Sequence, residues 1–179
     1  IYKEYVDLNL SNPPTFTWVT SSAEANTLLH QEVKSDFDLI ISMFNIGDTD
    51  VFNFSKQIKS ENPEIPFVLL THFSKELHKR IEEADRSGID FIFSWHGNAD
   101  LIMAIIKLFE DRMNADDDIL KWGVQSILLV EDSIRYYSTY LPAIYKLVLQ
   151  QSHEFLKEAL NEQQQKLRKR ARPKILLAT

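Results

Sequence analysis

Phe37-Asp38-Leu39-Ile40-Ile41-Ser42-Met43-Phe44 is a near-continuous apolar run, and Pro66-Phe67-Val68-Leu69-Leu70-Thr71 and Ile89-Asp90-Phe91-Ile92-Phe93-Ser94 repeat its character. Runs this short and this apolar suit strands covered on both faces, the condition of a parallel sheet. Between them, Val51–Lys59 and Ser74–Ser87 read as helices. Asn62-Pro63 breaks the first, Ser74 caps the second and Gly88 is placed to stop it. Strand, helix, strand, helix, strand is the order of parallel α/β construction.

The same reading extends outward in both directions. Upstream, Thr15–Thr20 follows the Pro13-Pro14 break and is rich in aromatic and β-branched residues, which predicts a strand. Ser21 or Ser22 can cap a helix over Ala23–Gln31. Downstream, Asp100–Met113 is amphipathic, with Leu101, Ala104, Ile105 and Leu108 on one face. Asn114–Asp118 is acidic and reads as part of a linker over residues 114–125. A second unit follows over residues 126–179: the strand Ser126–Val130, a long helix toward Arg170 with an interruption near Pro142, and the strand Lys174–Ala178.

Composition bounds the function classes. The chain has 179 residues, 44% of them apolar, so a packed core is feasible. It has no cysteine, which excludes disulfide and thiolate chemistry and is what a reducing cytoplasm permits. No apolar run approaches the ~18 residues that span a bilayer, so no membrane contact is expected. Ile1 opens the chain, without a signal-peptide layout, and the chain is expected to begin inside a longer protein. Residues 1–122 carry 11 Lys/Arg against 21 Asp/Glu, and residues 123–179 carry 9 against 5. The acidic part repels nucleic acid, and none is expected as a partner. Lys166, Arg168, Lys169, Arg170, Arg172 and Lys174 form a basic run that reads as a solvated helix end. His30, His72, His78, His96 and His153 are scattered and show no ligand spacing. None of the four glycines sits in a phosphate-loop pattern.

The succession of elements from Thr15 to Met113 resembles a response-regulator receiver domain from its second strand to its last helix. Asp38-Leu39-Ile40-Ile41-Ser42 resembles the third receiver strand, Pro66–Thr71 the fourth with its terminal hydroxyl residue, and Gly88–Phe93 the run into the fifth. The resemblance implies an α/β fold with a doubly wound parallel sheet, the flavodoxin-like order 2-1-3-4-5. It makes residues 1–113 a receiver unit lacking its first strand, which parent sequence before Ile1 or an inserted Ile127–Val130 would have to fill. The active positions depart from the family. The phosphoryl acceptor falls on Met43, whose thioether forms no acyl phosphate and is a poor ligand for a hard cation. The pairing lysine falls on Trp95, and Thr71 retains the switch hydroxyl. This unit reads as a pseudo-receiver.

Ser126-Ile127-Leu128-Leu129-Val130-Glu131-Asp132-Ser133 resembles the first receiver strand with its acidic pair. The resemblance implies that Glu131 and Asp132 serve Mg²⁺ in a complete second receiver. The alternative is that Glu131 and Asp132 simply favour the following helix N-terminus through its dipole. The stretch Ile127–Ala178, with Arg135-Tyr136-Tyr137, Leu141–Tyr145 and Ala171–Leu177, resembles the tandem-receiver region ahead of bacterial phosphoenolpyruvate synthase and pyruvate, phosphate dikinase-like enzymes. The resemblance implies a large parent that phosphorylates pyruvate or a related acceptor using ATP, and none of that chemistry lies in these residues.

The expected function is therefore a non-catalytic regulatory and signalling module. One alternative is part of an ATP-dependent pyruvate phosphotransferase, and another is a flavodoxin-like binder of a small ligand. Tyr137, Leu141, Ile144, Val148, Phe155, Ala159 and Leu167 make a stripe along the long helix. It predicts self-association, as a homodimer, or pairing with the acidic first unit. A break near Ser152 that folds the helix back is the other outcome.

Overall fold

The computed structural model describes residues 1–8, 10, 13–30, 37–72, 74–157 and 171–179. The chain is α/β, with parallel strands in two sheets. Two compact units divide it: Phe16–His96, and Ile1–Thr15 together with Gly97–Thr179.

The Phe16–His96 unit contains helix α2 (Ser22–Leu29), strand β1 (Ile40–Met43), helix α3 (Val51–Glu61), strand β2 (Phe67–Thr71), helix α4 (Lys75–Glu83) and strand β3 (Phe91–Ser94). The three strands lie in the order β1-β2-β3, all parallel, with Ile40 opposite Phe67 and Val68 opposite Phe91. Every residue of β2 and β3 is buried, as their unbroken apolar sequences require. Helix α3 contributes Val51, Phe52, Phe54 and Ile58 to the same core, with Phe54 edge-on to Phe67 at 6.0 Å. Its start is fixed by Asp50, whose carboxylate accepts the N–H groups of Phe52 and Asn53. Ser21 caps α2 and Ser74 caps α4 in the same way.

Several expectations are corrected here. Thr15–Thr20 forms no strand: its backbone finds no ladder partner, and Phe16 and Trp18 are 58% and 86% exposed. β-propensity without a neighbouring strand does not make a strand. Helix α4 ends at Glu83, not near Ser87, and Gly88 is not its cap. Gly88 is required for another reason: a Cβ there would sit 2.5 Å from the backbone of Ser55 and Lys56, so α3 passes directly against it. Strand β1 is shorter than the run that suggested it, and Met43 at its end is 38% exposed.

The other unit contains helix α1 (Tyr2–Asp7), helix α5 (Ala99–Asp116), a π-helical turn (Asp117–Lys121), strand β4 (Ser126–Val130), helix α6 (Ile134–Lys157) and strand β5 (Lys174–Ala178). Residues 114–121 are thus helical where a linker was expected. Strands β4 and β5 pair in parallel, Ser126 opposite Lys174 through Val130 opposite Ala178. They form a separate sheet, so Ile127–Val130 does not fill the place beside β1. Helix α6 passes through Pro142 without interruption. It buries Tyr137, Leu141, Tyr145, Val148, Leu149 and Leu156. Leu156, not Phe155, is the inward residue of its last turn: Phe155 is 63% exposed. The extension of this helix toward Arg170, with Ala159, Leu167 and the core of the basic run, lies outside the described residues.

Candidate functional site

In a parallel sheet, the carboxyl ends of the strands are where side chains converge on a ligand. Strands β1, β2 and β3 end at Met43, Thr71 and Ser94, followed by Trp95. The ladder aligns these ends: Met43 lies opposite Leu70, Phe44 N–H donates to Leu70 O at 3.0 Å, and Trp95 N–H donates to Thr71 O at 2.8 Å. Met43, Thr71 and Trp95 therefore fall at one end of one sheet. Met43 presents a partly exposed thioether. Thr71 is buried, and its hydroxyl donates to the carbonyl of the next residue, His72, at 3.2 Å. Ser94 Oγ lies 3.0 Å from His96 Nε2.

The loop after β1 holds two carboxylates, and both are committed to local structure. Asp48 accepts hydrogen bonds from Ser22 N–H, Ser22 Oγ–H and Ala23 N–H, at 2.9 to 3.3 Å. These bonds, the Ser22 backbone donor foremost, hold its pKa below the ordinary aspartate value. Asp50 caps α3 and stands 4.0 Å from Arg80, whose guanidinium lies 5.1 Å from the centre of the Phe44 ring. The strand end thus offers a phosphodonor a thioether and hydroxyl groups.

Glu131 and Asp132 follow β4 directly. Glu131 N–H continues the ladder to Ala178 O at 3.1 Å, and its Oε1 accepts the N–H of Ser133 at 3.0 Å, just before α6 begins. The Glu131 carboxylate serves the helix start, while Asp132 is exposed. Among the described residues, no group of three or more His, Asp or Glu is arranged to hold a metal ion. Mg²⁺ favours a near-complete oxygen octahedron, so this pair is a partial donor set.

The densest polar chemistry lies elsewhere and was missed from the sequence. Asp111 of α5 is fully buried. Arg172 grips both of its carboxylate oxygens, Tyr145 O–H donates to Oδ2 at 2.9 Å, and Ile175 N–H donates to the same oxygen at 2.9 Å. Lys174 Nζ is 3.9 Å from Asp111 and 2.7 Å from Asp118. Beside this cluster, Lys107 pairs with Glu110 at 2.6 Å and lies 4.4 Å from the centre of the Tyr5 ring. Tyr5 O–H donates to the other oxygen of Glu110 at 2.9 Å.

Arg172 and Lys174 are therefore buried partners, not members of a solvated basic end. Burial lowers the Arg172 pKa, but the hydrogen bonds and charge of Asp111 outweigh it and the net shift is upward. Burial first, then Glu110, raises the Tyr5 phenol, and burial first, then Asp111, raises that of Tyr145. Burial pulls Lys107 downward against the attraction of Glu110. The available signal was spacing: Lys107 and Asp111 stand four residues apart, one turn of α5, and Asp118 follows seven residues later in the π-helical turn.

The cluster lies at the N-terminal end of β5, away from the strand ends where a parallel sheet binds ligands. It contains three cations and three carboxylates, each group with a named partner, which is the balance expected of a structural network. No helix among the described residues is long and apolar enough to cross a membrane. No protein-family model, curated protein or solved structure matches this chain.

Proposed function

We propose that the chain is a non-catalytic, receiver-like regulatory module whose Phe16–His96 unit accepts no phosphoryl group. The observation that carries this reading is the common placement of Met43, Thr71 and Trp95 at the carboxyl ends of three adjacent parallel strands. The order β1-β2-β3 is that of strands three, four and five in a receiver. Where acyl-phosphate chemistry needs a free carboxylate and a facing lysine, this sheet ends in a thioether and an indole. The neighbouring carboxylates, Asp48 and Asp50, are held by α2 and α3. Under this reading, the β4–α6–β5 stretch is the beginning of a second receiver, with Glu131 and Asp132 as its acidic pair for Mg²⁺. The parent is a cytoplasmic bacterial protein of the phosphoenolpyruvate synthase type, and this segment regulates it without sharing its chemistry.

The test is direct. Incubation with acetyl phosphate and Mg²⁺ should leave the intact mass unchanged. A phosphoaspartate mapped to any residue between 15 and 113 would overturn the proposal.

A further inference from the structure

We draw no further inference here: the strongest candidate, the exposed stripe of Tyr136, Tyr140, Ala143 and Leu147 along α6, is an unpartnered apolar helix face, and nothing in the structure shows what covers it.

Discussion

The two sheets of this protein are built from similar strands and held by different forces. Strands β2 and β3 are apolar and wholly buried, and α3 closes against them so tightly that Gly88 has no room for a methyl group. Strands β4 and β5 are equally apolar in sequence, yet every residue of β4 except Leu129 is exposed, and β5 is anchored through ionic and hydrogen-bonded contacts to one carboxylate. An apolar sequence specifies that a strand should be covered. What covers it depends on the topology around it. In one sheet a neighbouring strand and a helix do so, and in the other Asp111 stands where the next strand's carbonyl would be.

The sharpest way to break this comparison is to remove that carboxylate. Asp111→Ala leaves Arg172 charged and buried without its partner and orphans Ile175 N–H, which should cost about 3–5 kcal/mol. Hydrogen exchange should show the loss concentrated in β5 and α6, and equal loss across β1, β2 and β3 would contradict the contrast. The corresponding change in the apolar sheet is Gly88→Ala. A Cβ forced against the backbone of α3 should cost about 3 kcal/mol in a denaturant titration, with α3 and β3 exchanging faster. A cost below about 1 kcal/mol would mean that the approach of α3 is easily relaxed.

The smallest effect is pH-dependent and belongs to the ionic sheet. Tyr5 and Tyr145 keep their protons in the fold well above the ordinary tyrosine range, because burial and the adjacent carboxylates oppose ionisation. The unfolded chain releases those protons near pH 10, so above that pH it binds fewer protons than the fold and stability falls as pH rises. Lys107 acts in the opposite sense. Its folded pKa is lowered by burial, so stability rises with pH between that value and the ordinary lysine value. Tyr145→Phe should cost about 1 kcal/mol at neutral pH and flatten the decline above pH 10. An unchanged alkaline decline would show that Tyr145 is not one of its sources.

The sequence disclosed the strands more completely than their anchors. Ser126–Val130 and Lys174–Ala178 are bounded in the structure as their apolar runs are bounded in sequence, because charged, proline or polar residues stop each run. Met43, Thr71 and Trp95 could be placed because each lies at or just past the end of a buried run, where length alone fixes position. Thr15–Thr20 misled because strand propensity describes a residue's fit to a ladder and cannot say whether a ladder is present. Arg172 and Lys174 misled because they continue a basic run, while the partner that buries them, Asp111, lies 61 residues before Arg172. Composition is local, and that contact is not.

This separation has a consequence for how the chain folds. Asp111 can accept from Arg172 and Ile175 only after a loop of more than 60 residues has closed, and closure entropy is spent before any of those contacts forms. Helices α5 and α6 can form from neighbours in sequence, while the anchoring of β5 must come late. A late contact contributes little to the transition state, so its loss appears in the rate of unfolding. Asp111→Ala should therefore steepen the fall from the native state, raising the unfolding rate and leaving the refolding arm of the chevron nearly where it was. In kinetic terms, that carboxylate is a latch that engages last.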